Sequence, residues 1–219
     1  MNMQLVLIVI AFAVPVLFAI ALHEAAHGYI ARYFGDPTAA EAGRLTLNPL
    51  RHIDPFGTVL LPLALWYTTG VPFGYAKPVP VDFNRLRNPK KHMALVALAG
   101  PMSNFFMGLA WMIFLYCLML SGSKGELINT MAQVGISVNA AMFVFNLIPI
   151  PPLDGGRIVT GMLPMPLAQQ FANLERYSLF VFIGLIVLMQ FHVLDGVLLR
   201  AMAVVKAVYQ LVLKPFFPF

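Results

Sequence analysis

The chain has 219 residues, of which 60% are hydrophobic and 11% are charged, and its formal net charge at neutral pH is +5. Soluble domains contain about one quarter charged residues, so this composition excludes an ordinary soluble protein and indicates a polytopic protein of the lipid bilayer. The Lys and Arg residues lie between apolar segments and form no basic face interleaved with aromatic residues, so nucleic acid is excluded as the expected partner.

The first predicted element is a long helix over residues 3–33. It is apolar enough to span a membrane, and it ends before Gly35-Asp36-Pro37, which is typical of a helix stop. We expect Pro15 to kink this helix. Residues 34–55 are polar and rich in Gly, Pro and Asn, so they predict a loop, with short strands around residues 44–47 as an option.

A metal-binding pattern lies near the end of this helix, at His23-Glu24-Ala25-Ala26-His27. Residues four apart share one helix face, so His23 and His27 offer two imidazole nitrogens to one metal ion, while Glu24 is placed to activate water. A histidine on an apolar helix is usually a hydrogen-bonded core residue. That explanation is weaker here, because an ionisable group inside a membrane costs roughly 2.5 to 3.5 kcal/mol on insertion scales. The pattern therefore predicts metal-assisted hydrolysis.

Two short segments follow the polar loop. Residues 56–67 are apolar but are broken by Pro62, and about twelve residues are too few to cross a bilayer, which takes roughly 20. Residues 74–81 contain Pro78 and Pro80, which exclude a helix or a central strand and permit an edge strand or an extended loop. We therefore predict a short re-entrant or β-like segment between the first two long helices.

Four more apolar segments complete the predicted architecture. The predicted helices cover residues 92–120, 128–148, 177–191 and 193–213. The last range carries Asp195, Arg200 and Lys206, so it either spans the membrane or lies at its interface. The sequence therefore predicts an all-α polytopic membrane protein in which residues 1–219 form a single integral-membrane domain.

Positive charges predict which side of the membrane each segment faces. Of the 14 Lys and Arg residues, none precedes the first helix and eight lie between Arg32 and Lys91. Cytoplasmic segments carry the excess of Lys and Arg, so residues 34–91 are predicted to be cytoplasmic and the N-terminus to be outside. The end of the helix over residues 128–148 then lies at about the depth of His23 and His27.

A third metal ligand is predicted where that helix ends, in the segment NLIPIPPLDGG at residues 146–156. A catalytic zinc ion takes three protein ligands, so the two histidines need one more. Asp154 is the best candidate, because a plain helix stop does not explain an acid at the depth of two histidines. Proline-broken backbone at this depth is tolerable only beside protein or an aqueous cavity, and the paired glycines allow close backbone approach.

With these features the chain resembles the site-2 protease family of intramembrane zinc metalloproteases. The resemblance rests on HExxH at residues 23–27, on NxxPxxxLDGG at residues 146–156, and on Gly100-Pro101-Met102-Ser103-Asn104, which is similar to the family's GPxxN. Together the three motifs are far more specific than any one of them. Residues 121–127 leave no room for a PDZ-like insert and no CBS-like domain follows, so the chain resembles a minimal member.

The resemblance implies a three-helix catalytic core in a multi-pass protein of a bacterial or archaeal cell membrane. Such proteins hydrolyse peptide bonds in or near transmembrane segments of substrate proteins, close to the cytoplasmic side. The resemblance also implies Zn²⁺ held by His23, His27 and Asp154, with Glu24 as general base.

Further residues are candidates for substrate binding or structural support, namely Asn104, Asn146 and Pro149. An amide side chain can bond an unwound substrate backbone, or it can join two helices in lipid. Residues 74–81, as an edge strand, would hold an unwound substrate by strand addition.

Three other functions compete with this hypothesis. A different membrane zincin would take its third ligand from a later Glu, but Glu41, Glu126 and Glu175 lie in no helical ligand pattern. A transporter or metal carrier with an intramembrane zinc site usually has internal repeats, and it would not need Glu24 beside the ligands. The intact Glu24 also argues against a non-catalytic regulator.

His52 and Asp54 form one further polar pair, in the loop after the first helix. A second metal site is one interpretation, but a loop histidine beside an aspartate is more typical of a turn or of a group that orients a ligand. We therefore assign the pair no metal.

Overall fold

The structure is a computed structural model that describes residues 3–69 and 74–217. Within these ranges every regular element is helical and no strand is present. The α-helices in chain order are α1 Met3–Tyr33, α2 Thr38–Glu41, α3 Leu61–Thr69, α4 Pro89–Leu120, α5 Glu126–Asn146, α6 Asp154–Met162, α7 Met165–Ala172, α8 Ser178–Gln190 and α9 Asp195–Leu213. Shorter turns are 3₁₀ at Pro49–Arg51, Phe83–Arg85 and Asn173–Tyr177, and π-helical at Pro55–Leu60.

Five helical stretches of the described chain are long and apolar enough to cross a membrane. They are Val6–Tyr33, Pro89–Leu120, Glu126–Asn146, Met165–Gln190 and Asp195–Leu213. The stretch Pro55–Thr68 is apolar but shorter. The predicted all-α polytopic membrane fold is therefore confirmed, and the C-terminal helix is long enough to span.

Small residues bring the first three long helices together. α1, α4 and α5 pack against one another pairwise. The α1 side chains buried in this packing include five alanines, at positions 11, 19, 21, 25 and 31. Lipid tails are as apolar as a leucine side chain, so helices associate in a membrane through close contact, which small residues allow. The α1 face that carries the histidines therefore lies tightly against its neighbours.

The last helix packs on α4 and α5 by the same principle. Tyr209 of α9 is fully buried, and its ring fits against Gly108 of α4, where an added Cβ would lie 2.9 Å from two ring carbons. Met112 and Ile136 belong to the same buried cluster. α9 thus supports the three-helix unit through its contacts with α4 and α5.

α6 was not predicted, because the glycines and prolines of residues 149–164 are poor helix formers. α7, which follows this stretch, was not predicted either. α6 instead gains stability by packing closely on α4. A Cβ added to Gly161 would lie 2.9 Å from the carbonyl oxygen of Lys90. α4 also begins before the predicted residue 92. Asn88 caps its first turn by accepting from the backbone N–H of Lys91, and Pro89 occupies the first helical position.

Residues 74–82 form an extended segment without a strand ladder, which we name the strap. Its inward N–H groups donate to scattered acceptors: Tyr75 to the Gly57 carbonyl, Lys77 to the His52 carbonyl, Val79 to the Glu24 side chain and Asp82 to the Asp36 side chain. Of the two structures that the sequence allowed here, the extended loop is the one found. Residues 44–47 likewise contain no strand.

Candidate metal centre

Three side chains that can bind a metal converge where α1 meets the start of α6. His23 Nε2 lies 3.1 Å from His27 Nε2, and Asp154 Oδ2 lies 3.1 Å from the first nitrogen and 3.4 Å from the second. Four ligands at 2.0–2.1 Å from a tetrahedral zinc ion lie about 3.3 Å apart. The triangle formed by these two nitrogens and one oxygen therefore has the dimensions of one face of a zinc coordination tetrahedron. Within the described ranges this is the one cluster of three such groups.

The hydrogen bonds of His27 fix its tautomer. Its Nδ1 lies 2.7 Å from the backbone carbonyl of Val96 on α4. A carbonyl oxygen can only accept, so Nδ1 carries the proton and the lone pair of the neutral ring is at Nε2. The α4 backbone thus turns the free nitrogen of His27 towards His23 and Asp154.

A chain of two buried amides fixes His23 in the same way. Asn139 on α5 donates through Nδ2 to the Gly135 carbonyl at 2.8 Å, so its Oδ1 is free to accept from Asn104 Nδ2 at 3.0 Å. Asn104 Nδ2 is thereby the donor, and its Oδ1 faces His23 Nδ1 at 2.6 Å. His23 must donate from Nδ1, which leaves Nε2 as an acceptor.

These tautomers provide a test of whether the site fits a cation. Two imidazole nitrogens and one carboxylate oxygen, all of them acceptors, lie within 4.8 Å of one another. Asp154 Oδ2 is buried and has no hydrogen-bond donor among the described residues. Three lone-pair atoms so close together repel one another unless a cation lies between them. The residues present therefore fit a zinc ion.

A tight reversal of the chain brings Asp154 to the histidines. After α5 the backbone turns back on itself, and Gly155 and Gly156 lie against it. A Cβ on Gly155 would lie 2.5 Å from the Leu147 carbonyl carbon, and one on Gly156 would lie 2.6 Å from that of Ile150. Only glycine allows this approach, so the pair following Asp154 sets its position.

The Asp154 carboxylate is suited to a cation. Carboxylate oxygens are common zinc ligands, and an ionised carboxylate supplies negative charge that partly balances a divalent ion.

The spacing of Gly100 and Asn104 on α4 has a structural explanation. Residues four apart share a helix face, and this face of α4 meets the histidines. A Cβ on Gly100 would overlap the His27 ring and lie 2.7 Å from His23 Cε1. Gly100 makes room for the imidazoles, and Asn104 holds one of them.

Glu24 lies beside this cluster and is partly buried. Its Oε2 accepts a hydrogen bond of 2.7 Å from the backbone N–H of Val79 in the strap. Nothing in the sequence indicates this contact, because every residue has a backbone N–H whatever its side chain. Asn139 was also missed, although a buried amide in an apolar helix could have indicated it.

The other candidate residues lie apart from this cluster. Asn146 donates to the Met142 carbonyl of its own helix at 3.0 Å, and Pro149 is exposed in the turn that follows. His52 is fully buried and bonds the Thr46 carbonyl at 2.9 Å, while Asp54 caps the π-helical turn by accepting from the backbone N–H of Gly57 at 2.7 Å. The turn interpretation of this pair is therefore the better one.

Replacing Asn104 with alanine is expected to lower zinc affinity by about 10- to 100-fold, because His23 loses the acceptor that fixes its tautomer. Competition with a chromophoric chelator measures this. Asn129→Ala is the control, since Asn129 bonds only local carbonyls at the other end of α5. Wild-type affinity in Asn104→Ala would contradict the orienting role.

Comparisons with known proteins point to one family. Residues 121–191 match the model of Peptidase family M50. The Bacillus subtilis protein named "Putative zinc metalloprotease YwhC" is 36% identical over 181 residues, which cover 80% of this chain and 78% of that protein. Two mycobacterial proteins of the same description, both named Rip2, are also similar. The one from Mycolicibacterium smegmatis is 30% identical and the one from Mycobacterium tuberculosis is 31% identical. The matches cover 64% and 75% of this chain, and 52% and 64% of the two relatives. No solved structure matches the chain.

Proposed function

The chain belongs to peptidase family M50, and we propose from this premise that it is a zinc endopeptidase that cleaves substrate proteins in or near their transmembrane segments. The family and its named relatives support the coarser statement, a membrane zinc metalloprotease. One observation carries the proposal. Three acceptor atoms converge on a point beside a membrane-spanning helix and next to Glu24. Two of them are imidazole nitrogens, whose tautomers are fixed by the Asn104 side chain and by the Val96 carbonyl.

We assign His23, His27 and Asp154 as the residues that would hold a zinc ion. When bound, zinc supplies Lewis acidity, which polarises a carbonyl and brings the pKa of water down to about 7. Glu24 accepts the proton from the attacking water and passes it to the leaving amine, so one carboxylate serves first as base and then as acid. Asn104 and the Val96 carbonyl keep the two imidazoles in the required tautomer throughout.

The depth of the site supports a membrane-embedded substrate. His23 lies about ten residues before the end of α1, which is about 15 Å along the helix axis. A scissile bond must reach this depth within a spanning helix, so a substrate segment that already lies in the bilayer is the best fit. The carbonyls of a helical substrate are hydrogen-bonded internally, so cleavage requires local unwinding.

Strand addition on the strap has less support than the sequence suggested. The inward N–H groups of Tyr75, Lys77 and Val79 already have acceptors within the chain. The alternate positions 78 and 80 are prolines, which have no N–H to donate. An added strand would therefore meet mainly carbonyl acceptors on the outer edge.

Cysteine labelling tests the proposed orientation, in which α1 runs from outside to inside and the site faces the cytoplasm. In a variant whose native Cys117 is replaced by serine, Asn84→Cys is expected to react with an impermeant maleimide only in inverted vesicles. Lys124→Cys is expected to react only in intact cells. Both positions are exposed, so labelling reports the side of the membrane and not burial. The reverse pattern would place the site on the outer side.

Membrane proteomics tests the activity. Cells that carry Glu24→Gln are expected to accumulate an uncleaved single-span protein whose fragment is present with the wild type. An unchanged membrane proteome under every growth condition tried would contradict the proposal, as would purified enzyme that cleaves only soluble proteins.

A further inference from the structure

The strap crosses α1 directly beside Glu24 and is anchored on both sides of that contact. Before Val79, the N–H of Lys77 donates to the His52 carbonyl at 3.0 Å, and Arg44 donates through Nη2 to the Lys77 carbonyl at 3.0 Å. After Val79, the N–H of Asp82 donates to Asp36 Oδ2 at 2.7 Å, and Asp36 is fully buried. These anchors hold the middle of the strap at a fixed place on α1.

The sequence of the strap leaves one donor at that place. Pro78 and Pro80 flank Val79 and have no N–H, so between Lys77 and Val81 the backbone of Val79 is the one donor. This N–H lies 2.7 Å from Glu24 Oε2, which is the length of a charge-assisted hydrogen bond. The donor is thus directed at the carboxylate with no neighbouring N–H to compete for it.

Gly28 has no side chain, and this leaves the space in which Val79 can lie close to α1. It lies one helical turn after Glu24, on the same face of α1. A Cβ on Gly28 would come within 3.0 Å of Val79 Cγ1 and of Leu45 Cδ1. Val79 is only 7% exposed, so its side chain packs against Gly28.

We propose that the strap is a positioning element for the catalytic base, with the backbone N–H of Val79 fixing Glu24 Oε2 so that Oε1 is presented to the attacking water. This inference rests on the proposed function, and it assigns a role in catalysis to a segment outside the three sequence motifs. Val79 is a positioning residue, because it acts through Glu24 and does not touch the reacting atoms. The bond restricts a carboxylate on a flexible side chain to one geometry, and a base of fixed geometry needs no reorganisation during the reaction.

Removal of the N–H tests the proposal in the full-length, zinc-loaded enzyme in nanodiscs. Val79→Pro is expected to lower kcat by about 10- to 100-fold, the effect of losing one hydrogen bond to a charged group, while KM and zinc content stay at wild-type values. The substrate is the single-span protein that accumulates in the Glu24→Gln strain. A merely structural role would instead raise KM, release zinc or lower the melting temperature.

Ala76→Pro is the matched control. It also adds one proline to the strap, but the N–H of Ala76 makes no hydrogen bond with any residue that the structure describes. Its kcat is expected to stay within about threefold of the wild type, as no bond to Glu24 is lost. Equal losses of kcat in both variants would overturn the proposal, because general disturbance of the strap would then explain them.

Amide hydrogen exchange at single-residue resolution tests the contact without any substrate. Exchange at Val79 is expected to be slow in the wild type and in Glu24→Gln, whose amide oxygen still accepts, and at least about tenfold faster in Glu24→Ala. The N–H of Lys77, bonded to the His52 carbonyl, is the internal reference and should not change. Equal exchange at Val79 in the wild type and Glu24→Ala overturns the inference even if the enzyme cleaves its substrate. If no membrane substrate is found, the proposed function fails, while the exchange data still decide whether Glu24 is held.

Discussion

Replacing Glu24 with glutamine is expected to abolish cleavage and to leave about one zinc ion bound per chain. Glutamine has nearly the same shape and keeps an oxygen that accepts from the Val79 N–H, but it cannot take up a proton. General base catalysis raises a reaction rate by about 10²- to 10⁴-fold, so the rate of cleavage is expected to fall by at least 100-fold. The measurement combines elemental analysis of purified protein with a cleavage assay of the accumulated single-span substrate.

Glu126→Gln is the control for this variant. Glu126 is exposed at the start of α5, the end opposite to the turn that leads to Asp154, so the same change there is expected to leave activity and zinc content at wild-type levels. Activity of Glu24→Gln within tenfold of the wild type would exclude Glu24 as the base. Loss of zinc from that variant would instead make Glu24 a ligand.

Replacing Asp154 with alanine is expected to remove zinc and activity together. The change deletes the one anionic atom of the cluster and leaves two neutral imidazoles, which cannot by themselves complete a three-ligand site. Loss of a group that merely orients a ligand costs about 10- to 100-fold in affinity, so loss of a ligand is expected to exceed 100-fold. Asp154→Asn keeps one neutral oxygen, so its zinc affinity is expected to lie between that of Asp154→Ala and that of the wild type.

Zinc per chain after dialysis against a weak chelator measures this effect. Asp195→Ala is the control, because Asp195 also begins a helix and also contacts a histidine, His192, but both side chains are exposed. The zinc content of Asp195→Ala is expected to stay at the wild-type level. Full occupancy in Asp154→Ala would remove Asp154 from the ligand set and require a different third ligand.

Local periodicity made the two histidines predictable. A spacing of four residues puts His23 and His27 on one helix face whatever surrounds the helix, and their Nε2 atoms are indeed 3.1 Å apart. The same four-residue spacing places Gly100 and Asn104 on one face of α4, where both contact the histidines. Asp154 lies more than 120 residues further along the chain, and the sequence indicated it only through topology, because positive charges predict the direction of each helix.

The sequence by itself determined the class of protein, its long helices and the placing of two histidines on one helix face, because apolar length and helical spacing are local properties of the chain. Only the tertiary structure decided how each group is used. The tautomers of His23 and His27 depend on Asn104 and on the Val96 carbonyl of α4, and the acceptor for the Val79 N–H is on α1. Every residue has a backbone N–H or carbonyl, so the sequence carries no mark of which ones are unpaired and close to a functional side chain. That depends on which segments folding brings together, and here on α4 and the strap packing against the same stretch of α1.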